Sequence, residues 1–319
     1  MRTSWHRIVL RGLIAFAVFV VLLSALAHPW FAVTRTSGGR VLVAEGWMHE
    51  EGLRETARLF REGGYERLCL TGTVRPFAYY LLKDDSIHFV LRAPASGQVL
   101  LGVGGLPGAE WTLWLDGRMV LRGVAEGAVK EHRVNVPSPG FSSGALVFTA
   151  PAAPGPEVPV GFVARFTVEG TNVHELVGQV TIHQGDGSQR EGQPTYAEQG
   201  RDRLVRDGIP YDQITAVPTI EVEGSRTWSS ARSFTDFARS AGIDRFDVAT
   251  LGVHARRSWK MYRKAWGTNA GVGIVSLNDP WCRRWSWWTN YYGWYQMTKE
   301  LVALPAPYLV SGPEGDDAP

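Results

Sequence analysis

The sequence has no large excess of charge of either sign. Its 319 residues include 33 Lys and Arg against 31 Asp and Glu, which gives a formal net charge of +2. A general nucleic-acid binder carries a clear positive excess of charge. We therefore exclude nucleic acid as a partner of this chain.

Several motifs of catalysis and cofactor binding are also missing. The chain has no P-loop, and no GxGxxG follows the first predicted strand, so ordinary nucleotide or NAD binding is not supported. No Ser-His-Asp arrangement and no metal-ligand spacing stands out. We expect neither a cofactor nor a metal. Only two cysteines are present, and Cys69 lies in an apolar run that favours a buried small residue.

The amino terminus does contain a long apolar segment. Residues 8–27 are largely apolar, with interruptions at Arg11 and Gly12, and this length is close to the roughly 20 residues that span a bilayer. The arginines at the start of the chain, Arg2 and Arg7 among them, favour a cytoplasmic amino terminus. The segment therefore indicates a membrane-targeting signal.

We predict that residues 1–34 form a single membrane-spanning anchor in the inner (cytoplasmic) membrane, with all later residues on its periplasmic side. A small-x-small sequence at 25–27 also fits a signal-peptide cleavage site, so removal of the segment is a second interpretation. In either case the rest of the chain is exported. A disulfide between the two cysteines is permitted in that compartment.

The soluble part alternates short apolar runs with amphipathic segments in two separate stretches. The runs in "GRVLVAEGW" and "YERLCLTGT" flank a segment with apolar residues at helical spacing, and the same pattern returns after residue 194. Buried strands separated by amphipathic helices indicate a parallel sheet covered by helices. We predict a discontinuous Rossmann-like domain over residues 35–74 and 191–310.

Between these stretches the composition changes. Short or alternating apolar runs are separated by Gly, Pro and Asp-Gly turns, a pattern typical of a β-sandwich. We predict a β-sandwich at residues 75–190, inserted in a loop of the α/β domain, and a disordered tail at 311–319. The predicted fold class is therefore α/β, a Rossmann-like parallel-sheet domain interrupted by a β-sandwich insert, with one N-terminal transmembrane helix.

The α/β stretches resemble a known family. "VLVAEGW", "RTWSSA" and "LGVHARRSWKMYRKAWG" occur in the order found in the SanA, ElyC and YdcF-like family, domain of unknown function 218. The branch that this chain most resembles carries "EGW" and "HARRS", and the resemblance covers residues 39–74 and 192–305. It implies a Rossmann-like fold in a bacterial envelope protein, in a family linked to cell-wall or surface-glycan assembly and barrier function. It implies no particular reaction.

The insert is similar to calcium-dependent, xylan-binding-type carbohydrate modules. It departs from their pattern because it has no acidic or amide residue at 150–151 and 160–161, whereas calcium needs about six to eight oxygen ligands. The resemblance implies a sugar module without its calcium site, in which Trp111 and Trp114 could stack on cell-wall carbohydrate. A core role is the alternative for both tryptophans. Since they lie three apart in a strand, we expect them to face opposite sides.

A basic cluster lies where a predicted strand meets a predicted helix. His254 follows the strand at 246–251, and Arg256 and Arg257 fall in the first turn of the next helix. Open parallel sheets bind ligands at the carboxyl ends of their strands, where helix amino termini attract anions. The helix dipole disfavours cations in a first turn, and a bound anion would offset that cost. We predict that these three residues bind a phosphate or a carboxylate.

Further residues are predicted at the same edge of the sheet, namely Glu45, Gly46, Gly72, Glu198, Arg226 and Thr227. Structural roles are open for some of them, because Glu198 can cap a helix at Thr195 and the glycines can allow tight turns. An alternative for the arginines is a salt-bridge network with acidic residues, which would leave no open pocket.

As a catalytic site, the cluster divides into proton-transfer and anion-binding groups. His254 would be the general acid or base, and Glu45 would orient the imidazole or activate water. Arg226 and Arg257 would hold an anionic group. The tryptophan-rich segment at 280–295 could pack near this site, stack on sugars or rest at a membrane interface.

A phosphate or pyrophosphate group on a glycan or lipid-linked precursor suits both this site and the exported location. We therefore predict a membrane-anchored protein of cell-envelope biogenesis that binds or processes such an anionic ligand. The alternative is a non-catalytic carbohydrate-binding or assembly factor of the cell wall. An enzyme would release phosphate or a cleaved sugar, whereas a binder would return its ligand intact.

Overall fold

The computed structural model describes residues 2–150, 155, 158–267 and 271–309, and the tail predicted at 311–319 lies outside them. Within these residues the helices are α1 (Arg2–Phe31), α2 (Glu50–Glu62), α3 (Val173–Leu176), α4 (Tyr196–Arg206), α5 (Arg226–Ser240), α6 (Ala255–Trp266), α7 (Tyr291–Ala303) and α8 (Ala306–Leu309). Short 3-10 turns cover Tyr211–Gln213, Gly252–His254 and Trp287–Thr289.

The strands within the same residues fall into an early, a middle and a late group. They are β1 (Val41–Glu45), β2 (Arg67–Thr73), β3 (Tyr79–Leu81), β4 (Ser86–Gly105), β5 (Glu110–Leu115), β6 (Arg118–Val124), β7 (Gly127–Thr149), β8 (Gly161–Val168), β9 (Thr171–Asn172), β10 (Val177–His183), β11 (Gln189–Glu191), β12 (Ile214–Thr219), β13 (Phe246–Leu251) and β14 (Val272–Leu277).

The chain divides into two compact units. Unit 1 consists of Met1–Thr73 with Ala197–Pro319, and unit 2 consists of Val74–Tyr196. Unit 1 contains a parallel sheet in the order β12-β2-β1-β13-β14, and unit 2 contains a separate antiparallel sheet. The predicted combination of a parallel α/β sheet with a separate β-sheet region is confirmed.

The sheet of unit 1 is covered by helices on both faces. Alternate residues of β1 point to opposite faces, as the pleat requires: Leu42 packs with α2 and α4, whereas Val43 packs with α5 and α6. Helix α4 approaches β1 closely, since a Cβ on Gly200 would lie 3.0 Å from the Cα of Gly46. All five strands are parallel, so their carboxyl ends lie at one edge, which we call the carboxyl rim.

Unit 2 is built on two unusually long strands. The first part of β4 pairs with β10 and its second part with β8, while β7 pairs with β4 along most of its length. The strands are joined by hydrogen bonds into one continuous sheet of nine, and the sandwich arrangement at residues 75–190 stays a prediction. Register shifts interrupt the β4–β7 ladder, so that β7 pairs with the first part of β4 and, beyond the shifts, with its second part. A single apolar cluster fills the unit.

The end of α1 packs against later elements of unit 1. Phe31 is buried in a cluster with Val253, Cys282, Trp287 and Met297. Among the residues that the structure describes, no helix combines enough length with enough apolar character to cross a membrane. The membrane anchor at residues 1–34 stays a prediction.

His174 is a fully buried imidazole in unit 2 with two hydrogen-bond partners. Its Nε2 lies 2.7 Å from the hydroxyl of Tyr79, and its Nδ1 lies 3.0 Å from the carbonyl oxygen of Arg75. A carbonyl oxygen can only accept, so Nδ1 carries the proton and Nε2 accepts from Tyr79. Burial lowers the pKa of His174 from 6.5 to about 3.

We expect unit 2 to lose stability as the pH falls from 6.5 towards 3. In that window the unfolded chain binds a proton that folded His174 does not, so the free energy of unfolding falls by about 1.4 kcal/mol per pH unit. Urea unfolding between about pH 7 and about pH 5, followed by hydrogen exchange in peptides of unit 2, measures this slope. His174→Gln removes the titration and should flatten the slope; an unchanged slope would contradict the assignment.

Candidate functional site

Several of the predicted site residues lie at the carboxyl rim. Glu45 ends β1, Gly46 follows it, and Gly72 lies near the end of β2. His254 closes the turn after β13, and Thr227 lies in the first turn of α5. Parallel strands and the helices that follow them therefore bring these residues to one edge of unit 1.

Glu45 is buried and held by two hydroxyl groups. Thr250 donates a short hydrogen bond to its Oε2, and Ser258 donates to its Oε1 at 3.1 Å. The side chain is only 2% exposed. The sequence placed Glu45 correctly at the rim, but its role there is that of a fixed carboxylate between a strand and a helix.

His254 is oriented by a residue that the sequence analysis did not identify. Its Nδ1 lies 2.8 Å from Oε1 of Glu300, in α7. Nη2 of Arg257 also lies 2.9 Å from Nδ1, but it donates to the same oxygen of Glu300. A lone pair on Nδ1 facing the nearer carboxylate oxygen would be repulsive, so we assign the proton to Nδ1. The partner predicted for orienting the imidazole was Glu45, and the structure corrects this to Glu300.

The other nitrogen of His254 is left without a hydrogen bond. Nε2 is buried and has no hydrogen-bond partner among the described residues. Its nearest acidic oxygen is Oε2 of Glu45 at 3.6 Å, which is beyond hydrogen-bond range. The ring of Trp47 meets the imidazole edge to face, with the two centroids 5.3 Å apart. His254 therefore has one fixed nitrogen and one unpaired nitrogen.

Arg257 binds the same carboxylate, that of Glu300. Its Nε donates to Oε2 of Glu300 at 2.8 Å, and its Nη2 donates to Oε1 at 3.1 Å, which is a bidentate pair. Its Nη1 donates to Oγ1 of Thr227 at 3.3 Å. The prediction of Arg257 as an open anion receptor is wrong, because its guanidinium is already committed within the protein.

The two other arginines are placed differently from Arg257. Arg256 donates from Nε to the carbonyl oxygen of Trp30 and lies over its ring, 4.1 Å from the centroid. The prediction of Arg256 as an anion ligand is therefore wrong, because it binds the end of α1. Arg226 is exposed in the first turn of α5 and makes no side-chain hydrogen bond or ion pair with the described residues, so it keeps a free guanidinium. Glu198 lies in the first turn of α4.

Glu300 is the acidic centre of this cluster. Burial favours its neutral form, but hydrogen bonds from His254 and Arg257, together with the charge of Arg257, outweigh burial and lower the pKa of Glu300 to about 2. A signal for it was present in the sequence. Gly293, Met297 and Glu300 are the buried residues of α7, at the i, i+4, i+7 spacing of one helix face. An acid at such a position needs a partner.

The two tryptophans proposed for sugar stacking lie in unit 2 and differ in exposure. Trp111 is 1% exposed and belongs to the apolar core, so the prediction that it stacks on a sugar is wrong. Trp114 is 38% exposed. The alternation of side chains along β5 separates the two, as the spacing of three predicted.

No group of three or more His, Cys, Asp or Glu side chains is placed to hold a metal ion in the part of the chain that the structure describes. Cys69 and Cys282 are both buried free thiols. Burial raises the pKa of each to about 12, so both remain protonated.

Comparison with known proteins gives little information. No family model and no curated protein matches the sequence. A pre-peptidase C-terminal domain of a collagenase from Bacillus anthracis is 14% identical, with a TM-score of 0.22 over 32% of this chain and 93% of that one. A family two carbohydrate esterase from Clostridium thermocellum, solved with cellohexaose, is 8% identical, with a TM-score of 0.20 over 73% of this chain and 94% of that one. Such remote likenesses carry no argument about fold or function.

We expect Glu300→Gln to destabilise unit 1 strongly. The substitution leaves Arg257, whose side chain is only 11% exposed, without its counter-charge. Breaking such an ion pair costs about 3–5 kcal/mol of unfolding free energy. The matched control is Glu223→Gln, which removes a carboxylate that pairs with Arg232 at 2.6 Å but is 70% exposed, and should cost at most about 1 kcal/mol. Urea unfolding, followed by hydrogen exchange in peptides of unit 1, compares the two variants. Equal losses of unfolding free energy would contradict the claim that Glu300 neutralises a largely enclosed guanidinium.

Proposed function

We propose that unit 1 is a Rossmann-like domain of the SanA, ElyC and YdcF-like family that serves cell-envelope biogenesis. In this proposal it binds or processes an anionic, phosphate- or pyrophosphate-bearing glycan or lipid-linked precursor at the carboxyl rim. His254 is the proton-transfer group. The chain is held at the inner membrane, and the rim faces the periplasm.

The observation that carries the proposal is the unpaired Nε2 of His254. Glu300 holds Nδ1, and Arg257 in turn holds Glu300, so the imidazole has a fixed orientation and a fixed tautomer. This is the arrangement of a general base whose orienting acid is locked by a third group. Arg257 thus acts as a positioning residue through Glu300 and is not in contact with the ligand.

The anionic ligand is supported by what remains free at the rim. Arg226 is exposed and begins α5, a helix of 15 residues whose amino terminus attracts negative charge. Its neighbour Thr227 accepts a hydrogen bond from Arg257 at 3.3 Å, and Arg257 binds the carboxylate of Glu300, which holds His254. A phosphate bound by Arg226 at this helix terminus would therefore lie on the same side of the rim as the imidazole.

The membrane location is supported by apolar side chains on the surface of unit 1. The described apolar residues of α1 that are exposed include Leu13, Val21 and Leu26. Around α7, Trp285 and Trp294 are exposed, and Trp287 packs against Phe31 at the end of α1. Tryptophans beside the end of an apolar helix are typical of a membrane interface.

A non-catalytic binder is the competing function. It is favoured by the full internal satisfaction of Glu45, Glu300 and Arg257, because a binding site can remain static whereas a catalytic site must exchange protons. Turnover separates the two functions. An enzyme consumes its ligand, and a binder releases it unchanged.

We expect His254→Gln to reduce turnover strongly while leaving the fold intact. The probe is a polyprenyl pyrophosphate, with and without an attached sugar, incubated with the full chain in detergent; phosphate release and the lipid products are measured. Loss of a general base lowers the rate by about 10²–10⁴-fold. Arg226→Ala is expected to raise KM more than it lowers kcat, because it removes ligand binding but not proton transfer.

The control for this experiment is Arg232→Ala, which removes an exposed arginine of the same helix whose ion-pair partner among the described residues is Glu223. It should leave both constants unchanged. Binding of the probe without turnover in the wild-type chain would support the non-catalytic function. Absence of both binding and turnover, or full activity in His254→Gln, would contradict the proposed site.

We expect the full chain to remain with the membrane after an alkaline carbonate wash. A variant without residues 2–26 should appear in the soluble fraction, since it keeps Phe31 in its cluster but loses most of the apolar segment. Fractionation followed by immunoblotting measures both. Release of the full chain by the wash would contradict the anchor, and retention of the shortened variant would assign membrane binding to the surface aromatics.

A further inference from the structure

Unit 2 carries a groove on the outer face of its sheet. A cavity of about 420 Å³ lies across β10, β4, β7 and β5. The register places Thr181, His88, Ala145 and Trp114 opposite one another in a single row across these four strands. With about 4.8 Å between neighbouring strands, the row is about 14 Å long. The cavity volume lies within the range of about 300–1,000 Å³ that is usual for small-ligand sites.

The pleat of the sheet sends these side chains away from the core. Ile87 and Phe89 are buried in the apolar cluster, whereas His88 between them is partly exposed. In the same way, Leu113 and Leu115 are buried while Trp114 is 38% exposed. The groove is therefore separate from the core of unit 2, and its walls are free to meet a ligand.

The lining of the groove combines polar and apolar groups and carries no fixed charge. None of the described residues that line it is Asp, Glu, Lys or Arg. Gln179, Thr181 and Gln189 contribute amide and hydroxyl groups. His88 and His183 stack with their ring centroids 4.0 Å apart, and burial together with the neighbouring imidazole lowers the pKa of His88.

This combination of groups selects one class of ligand. A charged ligand would find no counter-charge in the groove. A purely apolar ligand would cover the amide and hydroxyl groups without pairing them, at a cost of about 1–3 kcal/mol each. A neutral sugar offers hydroxyl groups for Gln179, Thr181 and Gln189, and the C–H face of its ring can lie on the indole of Trp114.

The geometry points to a binding site for a neutral oligosaccharide in this groove, with Trp114 as the stacking platform and the two glutamines and Thr181 as hydrogen-bonding groups. Calcium ligands of the similar carbohydrate modules are expected at 150–151 and 160–161, and of these positions the described residues Ala150, Val160 and Gly161 do not line the groove. The inference does not depend on the site proposed in unit 1. It gives the chain a second ligand of different charge.

The test is calorimetric titration of the full chain with neutral β-1,4-linked hexasaccharides of glucose, xylose and N-acetylglucosamine, and with hexagalacturonate as an anionic comparison. We expect at least one neutral hexasaccharide to bind and hexagalacturonate to bind more weakly. Trp114→Ala should weaken binding by about tenfold or more, as truncation of a central aromatic contact does. Trp114→Phe should restore part of the loss.

Tyr80→Ala is the matched control, because Tyr80 is an exposed aromatic residue of the same unit that does not line the groove. It should bind as the wild type does. Far-UV circular dichroism confirms that Trp114→Ala is folded. The proposal is overturned if no neutral hexasaccharide binds at millimolar concentration, if Trp114→Ala binds as tightly as Tyr80→Ala, or if hexagalacturonate is preferred. None of these outcomes bears on turnover at His254.

Discussion

The carboxylate of Glu300 is the interaction on which the carboxyl rim depends. It accepts hydrogen bonds from Nδ1 of His254 and from Nε and Nη2 of Arg257, and the residue is only 1% exposed. Removing it would leave a guanidinium and an imidazole buried without an acidic partner in contact, which low-dielectric surroundings make costly. The last long helix of unit 1 is thereby tied to the turn after β13. The same contacts decide which groups remain available to a ligand.

Much of unit 1 could be predicted because its sequence periods are simple. The stripe of Trp228, Ala231, Phe234 and Ala238 is buried along one face of α5, as a period of 3.6 residues requires. Unit 2 was harder to predict. The sequence indicated short strands, whereas β4 and β7 run for 20 and 23 residues through polar and glycine positions. Gly- and Pro-rich positions predict turns, but composition does not show where such positions lie inside a continuous strand.

The sequence predicted where the candidate site lies, but it did not predict which side chains bind each other there. The place of His254 follows from a strand that ends at Leu251, and strand ends can be read from local sequence. Its partner Glu300 lies 46 residues further along the chain, and only tertiary packing brings the two together. The arginines show the same limit. Adjacent in sequence, Arg256 and Arg257 bind α1 and α7 respectively, because neighbouring residues of a helix point in directions about 100° apart.

The most direct test of this account is the proton distribution on the ring of His254. A two-bond ¹H–¹⁵N correlation spectrum of the full chain, with the His254→Gln variant used for assignment, distinguishes the two nitrogens near neutral pH. The account predicts a proton on Nδ1, held by Glu300, and a lone pair on Nε2. A proton on Nε2, in either the neutral or the doubly protonated ring, would contradict it. That result would make the cluster a closed ion network without a free base.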